Sequence, residues 1–208
     1  MNGLSAKSNA TAALRAVWLK LARLKQIYSS PTADLATREL LLKKAAHLLF
    51  AILAWPLMLM NQAALVALLV LLSGVVLLLK HRFTSGFLAL LILAVTANRS
   101  AMVGAWVVLA VGDGVSATAG RLMGGSLVFR QGDKTWAGTL GFAVSAALAL
   151  WAFLSFSTPV RPTVNLIIMS IATALIGATI EAAVLRGDDN FAVTLASGVT
   201  LELVGRLL

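Results

Sequence analysis

The chain of 208 residues is 60% hydrophobic, contains no cysteine and carries a formal net charge of +9. This composition, with a mean hydropathy of +0.93, excludes an ordinary soluble domain and indicates an integral membrane protein. The lack of cysteine excludes disulfides and thiolate metal sites. In a membrane protein, excess Lys and Arg is typical of contact with anionic lipid headgroups, so we expect no nucleic-acid partner. The same charge also attracts a nucleoside triphosphate.

The N-terminal region, residues 1–37, is basic, and residues 1–30 contain no acidic residue. Its apolar residues recur at three- and four-residue spacing, with Arg and Lys between them. This pattern predicts a basic amphipathic interfacial helix on an anionic membrane surface, and a cleaved targeting segment is the alternative. The apolar positions are Leu14, Val17, Trp18, Leu21 and Leu24.

Seven apolar blocks follow within residues 38–208, the predicted transmembrane domain. Most are near the length that crosses a bilayer as a helix, so they predict an all-α, polytopic integral membrane helix bundle of about seven transmembrane helices. Pro56, Pro159 and Pro162 fall in or beside helix ends, where a kink or a stop is tolerated. The blocks are 45–60, 63–79, 86–98, 101–118, 137–156, 163–185 and 191–208.

The distribution of Lys and Arg predicts the orientation of these spans. With seven spans and a cytoplasmic N-terminus, nearly all of the 17 basic residues fall on the cytoplasmic side, and only Arg99, Arg161 and Arg206 fall on the other. The positive-inside rule therefore favours a cytoplasmic N-terminus. We expect a multi-pass protein of a bacterial or archaeal plasma membrane. Every polar cluster of the chain then faces the cytoplasm, where soluble nucleotide and lipid headgroups are both accessible.

A polar, glycine-rich segment at residues 111–140 interrupts the apolar pattern. Asp113 lies between Gly112 and Gly114; a carboxylate suits Mg²⁺, and glycines let a phosphate approach the backbone. The alternative is an Asp that caps a helix. Arg121 follows Gly120 and, in a helix, would lie near the same face as Asp113. It would bind phosphate there or simply pair with Asp113.

Lys134 and Thr135 open the next apolar block. An ammonium group, a hydroxyl group and free N–H groups at a helix N-terminus form an anion site. The order of residues is not that of a Walker A loop. The alternative is that Lys134 extends to the membrane interface beside an aromatic anchor, Trp136.

Together these motifs resemble the signature of the CTP-dependent polyprenol kinase family, which includes phytol kinase, dolichol kinase and a CTP-dependent diacylglycerol kinase. This family is distantly related to phosphatidate cytidylyltransferases, but their longer acidic and His-Gly-Gly signature is absent here. The resemblance covers most of residues 38–200. Its core motifs are Gly112-Asp113-Gly114, Gly120-Arg121 and Lys134-Thr135-Trp136-Ala137-Gly138-Thr139.

Weaker parts of the resemblance lie on either side of this core. Arg38 to His47 looks like the family's entry into the first span, and Lys43, Lys44 and His47 share one helical side. Asp188-Asp189-Asn190 looks like the family's C-terminal segment, and a turn with a helix cap is the plainer interpretation. Glu181 stands where the family often has a Glu. Within an apolar span its carboxylate has to find a partner.

The resemblance implies a membrane lipid kinase. It would transfer the γ-phosphate of CTP, with Mg²⁺, to the hydroxyl of a phytol-, polyprenol- or dolichol-like alcohol or of diacylglycerol. The alternatives are CDP-lipid synthesis of the cytidylyltransferase kind and a small transporter with a polar midplane site. CTP rather than ATP rests on the resemblance alone, and the oligomeric state stays open.

The roles implied for single residues are as follows. Asp113 and Asp188 would hold the metal, and the proton acceptor would be one of Asp188, Asp189 and His47, with no residue pattern choosing among them. Asp113, Lys134, Asp189 and His47 are the candidate catalytic residues. The candidate nucleotide- and phosphate-binding residues are Gly112, Gly114, Gly120, Arg121, Lys134, Thr135, Gly138 and Lys44.

Overall fold

The computed structural model describes residues 35–78, 84–123, 126–128, 134–158, 160–184 and 189–208. In these residues the regular structure is helical, with an isolated β-bridge between Leu127 and Thr135 and no strand. The prediction of an all-α protein is confirmed for this part of the chain. The helices are α1 Leu35–Ile52, α2 Ala54–Leu59, α3 Gln62–Leu78, α4 Thr84–Thr96, α5 Arg99–Met123, α6 Trp136–Ser157, α7 Thr163–Ala183 and α8 Asn190–Leu207.

The chain divides into two compact units, Met1–Lys43 and Lys44–Leu208. Of the predicted basic amphipathic segment, residues 1–37, residues 1–34 lie outside the described residues, and residues 35–37 belong to the start of α1. All side chains discussed below belong to the second unit.

The helix bounds differ from the predicted blocks at two places. The first block, 45–60, is divided because α1 ends at Ile52 and α2 begins at Ala54. Pro56 explains the division, since its ring has no N–H and clashes with the carbonyl group four residues earlier, at Ile52. The fourth block, 101–118, is extended, because α5 continues to Met123 through Gly112-Asp113-Gly114. Asp113 therefore lies inside a helix.

Three helices of the described residues, α5, α6 and α7, are long and apolar enough to cross a membrane. At about 1.5 Å per residue, the shortest of them spans about 30 Å, the thickness of a hydrocarbon core. The apolar helical segments His47–Leu59, Gln62–Leu78 and Ser85–Thr96 are shorter. The total of seven spans therefore stays a prediction.

Helix α5 forms the centre of the second unit. It packs against α6 most extensively and also against α8, α2, α4 and α7. All eight residues from Ala101 to Val108 are buried, and a helix that is apolar and buried on every side belongs to the core. In contrast, α6 exposes a row of large apolar residues: Leu140, Val144, Leu148 and Trp151. The burial of α5 holds Asp113 away from bulk solvent.

Candidate functional site

Asp113 is paired with two residues of α1. The Nζ atom of Lys44 lies 2.6 Å from Oδ1 and 2.5 Å from Oδ2 of Asp113. The Nε2 atom of His47 lies 3.4 Å from the same Oδ2. The three side chains are only 13–16% exposed. Lys44 and His47 are three positions apart in a helix, so both reach the same carboxylate from one face.

A second cluster forms around Lys134. Its Nζ atom donates to Oε1 of Glu181 at 2.5 Å and to Oδ2 of Asp189 at 2.9 Å. Lys134 immediately precedes α6, Glu181 lies in the last turn of α7, and Asp189 is the N-cap residue of α8. Because consecutive antiparallel helices alternate in direction, these three positions meet at one end of the bundle. Glu181 is the most buried of the three, with 4% of its side chain exposed.

The environment keeps Lys134 charged. Burial by itself lowers the pKa of the ammonium group, but the hydrogen bonds and negative charges of Glu181 and Asp189 more than offset burial and raise the pKa above its ordinary value. Lys134 is therefore a protonated, double hydrogen-bond donor at neutral pH.

The two clusters act on each other. Glu181 is close enough to Asp113 for the two carboxylates to interact electrostatically. We call their six residues the charged site. Within it two ammonium groups face three carboxylates, so the carboxylates outnumber the ammonium groups by one. The Oε2 atom of Glu181 is buried and has no hydrogen-bond partner among the residues that the structure describes. The charged site consists of Lys44, His47, Asp113, Lys134, Glu181 and Asp189.

A short paired segment fixes the backbone at Lys134. The N–H of Val128 donates to the carbonyl of Lys134 at 2.9 Å, and the N–H of Trp136 donates to the carbonyl of Ser126 at 3.1 Å. Thr135 is the N-cap residue of α6, and its Oγ1 accepts from the N–H of Gly138 at 3.2 Å. The prediction that Lys134 and Thr135 open a helix is confirmed.

The four candidate phosphate-binding glycines lie in α5 and α6 against protein atoms. A Cβ on Gly112 would come within 2.6 Å of the Phe142 ring, and one on Gly114 would come within 2.9 Å of the Leu48 side chain. On Gly120 a Cβ would lie 2.8 Å from Thr135 Oγ1, and on Gly138 it would lie 3.0 Å from the carbonyl oxygen of Ser116. These glycines allow close packing of helices. Their contact with phosphate stays a prediction.

Other predicted residues are placed as follows. Arg121 is exposed in the last turn of α5, two turns beyond Asp113. Asp188 lies outside the described residues. The sequence motifs give Glu181 no role, although a carboxylate inside an apolar segment indicates that it needs a partner. Its hydrogen bond makes it an integral part of the charged site.

An apolar pocket adjoins the charged site. His47 forms part of its wall, and so the pocket and the Asp113 cluster share one residue. Trp106 is fixed in the wall: its Nε1–H donates to the carbonyl of Phe50 at 2.8 Å. Its ring makes edge contacts with Phe50 and Phe87, at centroid distances of 6.3 and 5.4 Å. The pocket is lined by His47, Phe50, Gly86, Phe87, Leu90, Trp106, Leu109 and Ala110.

The carboxylates of the charged site are the groups that could hold a magnesium ion. In the described part of the chain, no group of three or more His, Asp and Glu side chains is placed to hold a metal. Mg²⁺ needs only one or two carboxylates when waters and phosphate oxygens complete its shell. The buried Oε2 of Glu181, which has no hydrogen-bond partner in the described part of the chain, and the excess of carboxylates over ammonium groups are compatible with such a cation. Asp113 could also be a ligand of Mg²⁺ if the ammonium group of Lys44 moved from the Asp113 carboxylate to a phosphate group.

Comparison of the chain with protein-family models, with curated proteins and with solved structures finds no match. In its described residues the protein is helical, with three helices long and apolar enough to cross a membrane and a part-buried site of lysines and carboxylates.

Proposed function

We propose that the protein is a membrane lipid kinase. It transfers the γ-phosphate of a nucleoside triphosphate, CTP by the resemblance of its motifs, to the hydroxyl of a long-chain isoprenoid alcohol or diacylglycerol. The observation that carries the proposal is the charged site itself. Two ammonium groups from separate segments, Lys44 and Lys134, are held together with three carboxylates in a part-buried position. Phosphoryl transfer needs this combination of cations for phosphate and carboxylates for a metal.

The roles of the residues follow from charge. Lys44 and Lys134 would bind phosphate oxygens and neutralise the charge of the transition state, which is the main requirement of this reaction. Arg121, two turns from Asp113, would add a further cation. Asp113 and Glu181 would hold Mg²⁺, which when bound neutralises phosphate charge and reverses the sign of the charged site.

The transfer step exchanges one bond to phosphorus for another. The oxygen of the alcohol bonds to the γ-phosphorus while the bond to the bridging oxygen breaks, and the nucleoside diphosphate leaves with the electron pair. The hydroxyl proton needs an acceptor at the site. Asp189 and His47 both belong to the charged site, and Asp188, outside the described residues, stays the third candidate.

The proposal includes a place in the membrane. Three helices of the described part of the chain have the required length and apolar character. The distribution of basic residues supports seven spans with the charged site at the cytoplasmic boundary. A lipid alcohol then reaches the site from the bilayer and the nucleotide reaches it from the cytoplasm. Anionic lipid headgroups would contact the basic N-terminal region.

A labelling experiment tests the activity. Purified protein in micelles receives a panel of lipid alcohols with γ-labelled CTP or ATP and Mg²⁺. A kinase places the γ-label in the lipid, whereas transfer of the α-label indicates cytidylyl transfer. Vesicle uptake of a solute without labelled lipid would indicate a transporter and overturn the proposal.

Site variants test the residues. Asp113→Asn and Lys134→Ala should each lower transfer by about 100-fold or more, as expected when a group that stabilises transition-state charge is removed. Glu202→Gln is the matched control, because Glu202 is a carboxylate of the same bundle bound to Arg206 and to the Asn98 backbone. Full activity in both site variants would contradict the assignment.

A further inference from the structure

The wall of the apolar pocket contains one titratable side chain, that of His47. It is built by α1, α4 and α5, and of its eight lining residues seven are apolar side chains or glycine, with His47 the exception. The pocket is a half-open cavity of about 50 Å³ in a region of the bundle where side chains such as Leu90 are fully buried. A ligand that fits it has an apolar body and few polar groups.

His47 places the polar part of such a ligand beside the charged site. The same side chain that lines the pocket lies 3.4 Å from Asp113 Oδ2. An imidazole can hydrogen-bond to a hydroxyl group as donor or acceptor. A molecule with one hydroxyl at the end of an apolar chain can therefore lie in the pocket and present that hydroxyl towards Asp113.

We propose that this pocket binds the acceptor, a long-chain primary alcohol, with its chain against Phe87 and Trp106 and its hydroxyl at His47. The inference rests on the proposed kinase function and names the acceptor's place in it. A phosphorylated headgroup would leave its charges against the aromatic wall, which costs free energy. The pocket therefore selects an uncharged alcohol.

The aromatic wall is held in position before any ligand binds. Trp106 is 8% exposed, and its indole N–H is bonded to the Phe50 carbonyl. Phe50 and Phe87 contact the indole ring from two sides. A wall that is already ordered loses little conformational entropy on binding, so a flexible chain can bind with useful affinity.

Fluorescence quenching measures the binding directly and without nucleotide. The probe is a brominated long-chain primary alcohol, because bromine quenches a nearby indole. The wild-type protein should show saturable quenching, and Trp106→Phe should remove the saturable part although four other tryptophans remain. Saturable quenching that persists in Trp106→Phe would place the alcohol elsewhere and overturn the proposal.

Two further comparisons test whether the hydroxyl group of the alcohol lies at His47. The alcohol should bind about tenfold more tightly than a brominated hydrocarbon of equal length, the ratio that one modest hydrogen bond supplies. His47→Phe should abolish this preference. An unchanged preference would remove His47 from the site.

Glycine substitutions supply a matched pair. A Cβ on Gly86 would meet Leu109 and Asn190 at ordinary distances of 3.5 and 3.6 Å, so the backbone accepts a side chain there. Gly86→Leu then fills the pocket and should abolish saturable quenching. Gly74→Leu is the control, since a Cβ on Gly74 meets nothing within 4 Å. Equal quenching in the two variants would overturn the proposal.

The outcomes separate the two proposals. If Trp106-dependent binding is found but no label reaches any alcohol, the pocket stands and the kinase function fails. If labelled lipid forms but binding is independent of Trp106 and Gly86, the kinase function stands and the pocket is not the acceptor site.

Discussion

The two ends of the bundle use charged residues differently. At the end opposite the charged site, Glu202 accepts from the N–H of Asn98 at 2.9 Å and from Arg206 Nε at 2.7 Å. Arg99 donates to the carbonyl of Met58 at 3.1 Å. Asn98 precedes α5, and Arg206 is one turn from Glu202. Charges at that end bind helix termini and near neighbours, which is a structural use.

At the charged site the partners are distant in sequence and are other charges. Lys44 and Asp113 are 69 residues apart, and Lys134 bridges carboxylates 47 and 55 residues away. Arg206 is 70% exposed, whereas Lys134 is 25% and Lys44 is 16% exposed. Removing one partner of such a poorly exposed ion pair costs much stability, because the other charge is left buried and uncompensated. This contrast is the basis of the proposal that the charged site has a chemical function, since stability alone would be met more simply by apolar packing.

The largest expected difference concerns Lys134 and Arg206. Lys134→Ala leaves the buried carboxylate of Glu181 without its cation, so it should lower the free energy of unfolding by about 3–5 kcal/mol. Arg206→Ala removes an exposed partner and should cost less than about 1 kcal/mol. Unfolding in mixed micelles with increasing denaturing detergent measures both.

A double variant separates stability from function. Lys134→Ala with Glu181→Gln removes the unpaired charge, so it should recover much of the lost stability while phosphate transfer stays absent. Recovery of transfer together with stability would mean that Lys134 acts only in the structure. Equal losses of unfolding free energy in Lys134→Ala and Arg206→Ala would contradict the proposed difference between the two ends of the bundle.

Alkaline pH should weaken the same interaction. The folded-state pKa of Lys134 lies above its ordinary value of 10.5. An unfolded chain therefore loses this proton first, and the native state holds more protons above pH 10.5. The stabilisation is fully present below pH 10.5 and is lost as the pH rises through the folded-state pKa.

The measurement is the difference in unfolding free energy between the wild type and Lys134→Ala as a function of pH. It should be constant from pH 7 to 10 and shrink only above pH 10.5. A difference that shrinks already between pH 8 and 10 would mean that the pKa of Lys134 is lowered by burial.

Magnesium should stabilise the charged site, and Lys44 should oppose it. The ammonium of Lys44 contacts both oxygens of Asp113, so a metal has to displace it. Lys44→Met should therefore gain more stability from Mg²⁺ than the wild type does, approaching about 2.7 kcal/mol at a hundredfold excess over the dissociation constant. Thermal unfolding with MgCl₂ and with EDTA measures this gain. Asp113→Asn should lose it, and the absence of any Mg²⁺ effect in Lys44→Met would contradict the metal assignment.

Much of the fold could be predicted because apolar blocks and prolines determine where these helices lie. The extension of α5 could not. The predicted block ends at residue 118, whereas α5 continues to Met123. Gly112 and Gly114 each disfavour a helix by about 1 kcal/mol relative to Ala. In the fold the same glycines let Phe142 and Leu48 pack against α5, and burial of those side chains offsets the local cost.

The sequence identifies most residues of the charged site, but it does not show which of them pair with each other. Lys44, His47, Asp113, Lys134 and Asp189 were all candidates from their motifs. The pairing of Lys44 with Asp113 depends on which helices are neighbours, and the spacing along the chain suggested Arg121 instead. Glu181 signalled only that it needs a partner. Spacing within one helix predicts a shared face, but it carries no information on contacts between helices.

The smallest expected effect compares glycines at the two ends. A Cβ on Gly138 would lie 3.0 Å from the backbone oxygen of Ser116, so Gly138→Ala forces α5 and α6 apart. We expect a cost of about 1–3 kcal/mol. On Gly205 the nearest atom is the flexible end of Met169, at 3.1 Å. Gly205→Ala should be neutral or stabilise by up to about 1 kcal/mol, the difference in helix propensity.

Activity makes this glycine comparison more informative. Gly138 is four residues from Lys134, so a shift of α6 should move the ammonium and lower phosphate transfer, whereas Gly205→Ala should leave transfer unchanged. The readouts are unfolding in mixed micelles and γ-label transfer at equal folded fraction. If Gly138→Ala costs no more than Gly205→Ala, the contact between α5 and α6 is loose. A loose contact would let the start of α6 move, so the packing of α6 on α5 would not hold Lys134 at Glu181 of α7. Other contacts would then have to fix the position of Lys134 in the charged site.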